Sequence, residues 1–311
     1  MTDKRKGRYG MRVLVSGAFG FVGTAVVRQL AAAGHQVRAL GHRAEPPAGL
    51  PVAEVVRGDV REPAVWREAL DGVDAVCHLA ALTRGRESVE RPQSHWDVNL
   101  GGMEALLESL PSGPGRLRVV FGSTAAVYGA PERQPIDERT PPAPGNPYGE
   151  SKLAAERLLL AHGAADAVVL RCFNAAGTGD VDETRIIPRA LAVAAGRHPH
   201  LELNGDGSVV RDFVHVDDMA RAYLLAVEQP PHRAGAERVF NVGATPASMR
   251  EIVEAVERVT GRPVPLVHRP ALPEAPRLVA DTALIRRVLG WRPERSGLTR
   301  MIEDAWTSPS P

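Results

Sequence analysis

Val13-Leu-Val-Ser-Gly17-Ala-Phe-Gly20-Phe-Val-Gly23 places three glycines between an apolar, β-branched run and an amphipathic helical pattern. Side chains in such a loop would hold the backbone off a ligand. Bare glycines let N–H groups close on a pyrophosphate at the positive end of the following helix. A glycine triplet alone is a weak signal. Its position near the N-terminus, after a strand and within a strand–helix–strand unit, makes it read as a dinucleotide-binding loop. The helix predicted over Thr24–Ala33 carries Val26, Val27 and Leu30 at helical spacing and stops at Gly34, the residue type favoured just past a helix C-terminus.

The same rhythm continues along the first half of the chain. Strands are predicted at Arg12–Ser16, Gln36–Leu40, Val52–Arg57, Ala75–Leu79, Arg118–Gly122 and Ala167–Arg171, with helical patterns between them. Alternation of this kind predicts an α/β fold, a Rossmann-type doubly wound parallel sheet. After Phe173, Pro188, Pro199, Pro230 and Pro231, and then a cluster from Pro263 to Pro276, break the chain into short elements. These read as a smaller, mixed α/β C-terminal substrate lobe. The expected division is 11–173 for the dinucleotide-binding domain and 174–306 for the substrate lobe. Segments such as 212–243, with Val239–Val242, return to the main sheet, and 1–10 and 307–311 are tails.

Composition narrows the function classes. The 311 residues suffice for a full core, and 38 Lys+Arg against 37 Asp+Glu give no overall field that would draw nucleic acid or an anionic membrane. Two cysteines, Cys77 and Cys172, lie in apolar strand-like runs, which argues against a disulfide framework and for a reducing cytoplasm. The basic N-terminus runs straight into a strand, leaving no room for a signal-peptide core, and no apolar run approaches the ~18 residues of a membrane span. No metal site is expected.

Catalytic chemistry points to Tyr148-Gly-Glu-Ser-Lys152 at the head of a strongly helical segment. Residues four apart share one helix face, so phenol and ammonium can serve one site. An isolated tyrosine titrates near pH ~10, so acting as a base near neutrality requires stabilising the phenolate by roughly 4 kcal/mol. Burial works against this, and a cation must supply the difference. Lys152 and an oxidised nicotinamide ring are the cations available.

The G-x-x-G-x-x-G spacing, the Tyr-x-x-x-Lys pair and the stretch Leu170-Arg-Cys-Phe-Asn174-Ala-Ala-Gly177 together resemble the extended short-chain dehydrogenase/reductase superfamily. Within it the chain is most similar to nucleotide-sugar 4-epimerases of the UDP-glucose/UDP-galactose type, over almost its whole length. The resemblance implies catalytic Thr124, Tyr148 and Lys152. It implies cofactor contacts from Gly17, Phe19, Gly20, Phe21, Val22, Gly23, Asp59, Val60, Leu79, Ala80, Ala81, Tyr148 and Lys152. It further implies substrate contacts from Thr83, Ser123, Thr124, Tyr148, Asn174, Arg211 and Arg269, a structural role for Asn99, and a homodimer. An arginine such as Arg211 suits a diphosphate because its planar fork pairs with two oxygens at once.

Three points remain open. First, Gly41 stands where an acidic residue would hold the ribose of NAD, and His42 and Arg43 follow it. This leans the cofactor toward NADP over NAD, unless Arg43 is only a solvated loop charge. Second, the loop holding His268-Arg269 departs from the epimerase pattern, so the register of Arg269 is unsettled. Third, Ala125 and Ala126 stand where dehydratases and decarboxylases of the superfamily carry acidic residues, which leaves simple hydride chemistry. That chemistry fits a nucleotide-sugar 4-epimerase, or alternatively an NADPH-dependent reductase of a nucleotide-bound 4-ketosugar. A non-catalytic dinucleotide sensor is remote, because both Tyr148 and Lys152 are present.

Overall fold

Apolar β-branched runs covered by helices on both sides form buried parallel strands. The computed structural model describes residues 10–111, 116–230 and 237–307. Apart from Gly10 and Thr307, the tails expected over 1–10 and 307–311 lie outside the described residues, as does Pro231. The first half runs β1 (Arg12–Ser16), α1 (Phe21–Ala32), β2 (Gln36–Gly41), β3 (Glu54–Arg57), α2 (Pro63–Ala69), β4 (Ala75–His78), α3 (Gly85–Glu90), α4 (Pro92–Asn99), α5 (Gly101–Glu108), β5 (Leu117–Thr124), α6 (Pro147–Ala161) and β6 (Ala165–Cys172). The second runs β7 (Asn174–Ala176), α7 (Ile186–Ala194), β8 (Leu201–Asn204), β9 (Val210–His215), α8 (Val216–Glu228), β10 (Val239–Val242), β11 (Thr245–Ser248), α9 (Met249–Thr260), β12 (Leu266–Arg269), β13 (Arg277–Leu278), α10 (Ala283–Leu289) and α11 (Leu298–Trp306).

The main sheet has the order β10-β6-β5-β4-β1-β2-β3, and every pairing in it is parallel. Strand alternation sends Val13 and Val15 to one face, against Val26, Leu30, Met219, Tyr223 and Trp291. Leu14 goes to the other, against Trp66, Met103, Leu106, Ala155 and Leu159. The winding direction reverses between β1 and β4, and ligands of such sheets bind beyond the carboxyl ends of the strands at that reversal.

Several boundaries differ from the sequence reading for local reasons. Gly20 serves as the N-cap, so α1 begins at Phe21 rather than Thr24. Strand β5 continues to Thr124 because Ser123 and Thr124 still pair with Arg171 and Cys172 on β6. Of the stretch 212–243, β10 joins the main sheet beside β6 and α8 packs on the same face as α1. Strand β9 instead centres a smaller sheet with β7, β11 and β13.

That sheet is covered by α7, α9 and α11, which contribute Ile187, Leu191, Ile252, Val256, Met301 and Ile302 to a second core. The two cores are tied through α8. Its buried Asp218 accepts hydrogen bonds from Glu294 N (2.9 Å), Arg295 N (2.8 Å) and the Ser296 hydroxyl (2.6 Å). His215 caps the same helix, accepting from Asp217 N at 3.0 Å, and its other ring nitrogen lies 3.1 Å from Asp304 on α11. No helix among the described residues is long and apolar enough to cross a membrane.

Candidate active site

The loop after β1 is built to approach its neighbours closely. Gly17 has φ +68°, and a Cβ there would stand 2.8 Å from Ala80 N in the loop after β4. A Cβ on Gly23 would stand 2.0 Å from Gly17 O. The N-cap Gly20 makes no side-chain bond to the first turn of α1, so the turn's N–H groups remain for an anion. Behind the loop, the Ser16 hydroxyl accepts from Leu79 N (3.2 Å) and Ala80 N (3.3 Å) and lies 2.7 Å from His78 Nδ1. Burial, and then the charge of Lys152, pull the His78 pKa down to about 3. The imidazole is therefore neutral and shares a hydrogen bond with the Ser16 hydroxyl. Ser16 and His78 thus fix Leu79, Ala80 and Ala81 at the lip of the crevice. Sequence reading placed Ser16 and His78 in the strands predicted over Arg12–Ser16 and Ala75–Leu79 and foresaw no bond between them. The residues present fit a dinucleotide pyrophosphate.

At the far end of β2 the space above Gly41 is filled by Phe19, whose Cε2 would lie 2.2 Å from a Cβ at that position. Arg57 packs over the Phe19 ring at 5.3 Å and pairs with Glu45 at 2.7 Å. His42 and Arg43 are exposed beside them. Asp59 is gripped by Arg61 at 2.6 Å, and this bond holds its carboxyl down to about 2. The neighbouring Val60 is buried against α2 and α5.

The catalytic candidates come together on β5 and α6. Asn146 caps α6 by accepting from Gly149 N at 2.9 Å, and Pro147 opens the first turn. Tyr148 and Lys152 consequently face the carboxyl end of β5. Burial raises the Tyr148 phenol above its ordinary pKa, while a hydrogen bond with Thr124 and the charge of Arg185 pull it back. The Thr124 oxygen accepts from Ala126 N at 3.1 Å. Lys152 is 2% exposed, with Nζ 4.0 Å from the Phe121 ring centroid. Burial lowers its pKa to about 7, opposed by Cys172 and Glu156. Asn99 is a brace: it accepts from Leu82 N (2.9 Å) and donates to Leu82 O (3.1 Å) and to Ser151 on α6 (3.0 Å). It thereby fixes the loop that carries exposed Thr83.

Ser123 is placed apart from Thr124. Its side chain is buried and its hydroxyl donates to Glu156, which is held by Arg171 at 2.7 Å. The reason is strand alternation: adjacent Ser123 and Thr124 point to opposite faces of the sheet, so only one can meet a substrate.

A cleft of about 290 Å³ is walled by Arg86, Arg185, Arg189, Arg211, Met249 and Glu274. Arg211 donates to Ala275 O at 2.9 Å and pairs with Glu274 at 2.5 Å; burial lowers its pKa, opposed by Glu274. Asn174 opens β7 and donates to Asp212 O at 2.9 Å. Arg269 lies on the exposed strand β12 and is not itself among the residues lining the cleft, but pairs at 2.6 Å with Glu202, which is. Arg86, Arg185 and Arg189 line the cleft beside Arg211; of these Arg185 sits in an ordinary turn before α7 and carries no motif.

A model of the NAD dependent epimerase/dehydratase family matches residues 13–243. A UDP-glucose 4-epimerase of Streptomyces lividans is 40% identical over 319 residues, which is 95% of each chain. The solved UDP-glucose 4-epimerase of Brucella ovis in complex with NAD superposes with a TM-score of 0.87 at 36% identity, over 96% of this chain and 98% of that one. The enzyme of the same name from Bifidobacterium longum, in complex with NAD+ and UDP, gives 0.86 at 29% identity, over 95% and 97% of the two chains.

Proposed function

The chain belongs to the NAD dependent epimerase/dehydratase family, and we propose that it interconverts the C4 epimers of a UDP-hexose by transient oxidation at C4. One observation carries this reading: Tyr148 bonds Thr124 and shares its helix with Lys152, and Arg185, whose charge reaches Tyr148, lines an arginine-walled cleft. The chemistry that a nicotinamide dinucleotide supplies when bound is reversible hydride transfer. Gly17, Gly20 and Gly23, with the first turn of α1, would hold its pyrophosphate. Tyr148 takes the proton of the C4 hydroxyl and later returns it. Thr124 holds the reacting oxygen, and Lys152 provides the neighbouring cation. Arg211 and the cleft keep the nucleotide while the 4-keto sugar turns its other face to the crevice. Ala125 and Ala126 occupy the turn directly after Thr124 and offer no acid or base for elimination at C5 and C6.

The ribose end of the crevice favours a second reading for the cofactor. Gly41 itself, under Phe19, brings no carboxylate to a 2′-phosphate and Arg43 is exposed, which supports NADP alongside NAD and with it a 4-ketosugar reductase; the nearby carboxylates, Glu45 and Asp59, are engaged by Arg57 and Arg61. The proposal includes a homodimer in a reducing cytoplasm, with Cys77 and Cys172 both free thiols.

Purified protein incubated with UDP-galactose and no added cofactor is expected to form UDP-glucose. Stoichiometric NADPH consumption with a 4-ketosugar, and no interconversion, would establish the reductase instead. Tyr148→Phe should cut turnover by roughly 10²- to 10⁴-fold and leave dinucleotide binding intact.

A further inference from the structure

The substrate proposed above has two phosphates, and the cation expected from sequence to share them with Arg211 is not among the residues that line the cleft and is already paired with one of them, Glu202. Arg269 lies on β12 with its guanidinium on Glu202 at 2.6 Å. Arg185 is placed differently. It precedes α7 and lines the cleft beside Arg211 and Glu274. One of its nitrogens pairs with Asp180 at 3.0 Å. Its Cζ lies 5.2 Å from the ring of Phe21, in the dinucleotide loop. Its charge also reaches the phenol of Tyr148. Arg185 therefore stands where three features meet: the nucleotide cleft, the cofactor loop and the catalytic base.

In a nucleotide sugar the diphosphate links the nucleoside to the ring that reacts. A cation between Arg211 and Tyr148 meets the linking segment at its sugar end. We infer that Arg185, not Arg269, is the partner of Arg211 on the substrate diphosphate, taking the sugar-linked phosphate and so setting the distance from nucleotide to Tyr148. The inference rests on the nucleotide-sugar reading. Asp180 occupies one nitrogen of the guanidinium and holds the group over Phe21, while the rest of the planar fork remains for phosphate oxygens.

The test compares binding of UMP and UDP by calorimetry, which needs no turnover. Arg185→Gln is expected to weaken UDP by roughly 10- to 100-fold and UMP by less than about threefold, since a charge-assisted bond to the second phosphate is lost. Arg185→Lys leaves a cation beside Asp180, guards against a folding artefact, and should lie between the two. Arg269→Ala should alter neither ligand. A merely structural arginine would not shift the pH profile of turnover, whereas loss of this charge should move the Tyr148 limb to higher pH. An unchanged ratio of UDP to UMP affinity in Arg185→Gln would overturn the assignment, as would a ratio narrowed by Arg269→Ala instead. Epimerisation measured separately keeps the two ideas apart: a protein that needs Arg185 for UDP yet does not epimerise sinks the reaction and spares the arginine.

Discussion

Lys152 is the residue where the demands of folding and of chemistry conflict most directly. Its ammonium is 2% exposed, packed on Phe121, and drawn down from an ordinary 10.5 to about 7 chiefly by burial. Near neutrality the ligand-free protein therefore holds this lysine near half charge. The unfolded chain keeps the proton up to about pH 10, so between 7 and 10.5 it binds more protons than the native state, and stability rises with pH across that window. Its counterpart is a penalty fully present below pH 7. Lys152→Met keeps the aliphatic stem and removes the charge. It should stabilise the ligand-free protein more at pH 5 than at pH 10, by a difference on the order of a few kcal/mol. Thermal melts of both proteins at the two pH values read this directly, and a gain independent of pH would mean that the ammonium is better solvated than its burial implies. The cost is consistent with the catalytic role proposed for this ammonium on the same helix as Tyr148.

Strand β5, helix α6 and strand β6 carry the machinery as a unit, and behind the site they are pinned by charge. Glu156, one turn beyond Lys152, is held by Arg171 on β6 and accepts the Ser123 hydroxyl from β5. All three side chains are buried, and Arg171 also packs on Tyr128 at 4.8 Å. Removing one member of a buried pair strands the other, so Glu156→Ala should cost about 3–5 kcal/mol. Urea unfolding would show it, and a loss below 1 kcal/mol would mean that water reaches Arg171. This clamp also shows what the sequence could and could not reveal. Apolar β-branched runs, the glycine loop and the spacing of Tyr148 and Lys152 are local signals, and they led to the strands, the crevice and the candidate base. Motif likeness does not say which of two adjacent hydroxyls alternation turns to the cleft, so it named Ser123 beside Thr124. Where Arg269 goes is likewise decided by pairing: β12 lies beside β8 and delivers Arg269 to Glu202. No local pattern encodes that register.

Over the whole molecule, the distance between crevice and cleft depends on how the small sheet is fastened to the large one. Helix α8 packs beside α1 on the main sheet, while its first turn receives the segment leading to α11 through Asp218. Trp291, fully buried, adds a bond from its ring nitrogen to Asp218 O at 2.8 Å. His215, from β9, meets Asp304 of α11 and a backbone bond to Ser296, so the small sheet is tied to the same anchor. Asp218→Ala removes one acceptor from three donors at once. With each unsatisfied buried donor costing about 1–3 kcal/mol, the variant should lose several kcal/mol, and Tm should fall by roughly 10 °C. The location of the loss is the sharper test. If Asp218 fastens the lobes, hydrogen exchange should accelerate first in α11 and β9, with KM for the nucleotide sugar rising more than kcat falls, because the cleft drifts relative to Tyr148 while the base itself stays in place. Uniform acceleration across β1 to β6 would instead make Asp218 a support of the main core. In that case the spacing of the two sites would depend on the packing of α7 and α9 against the small sheet.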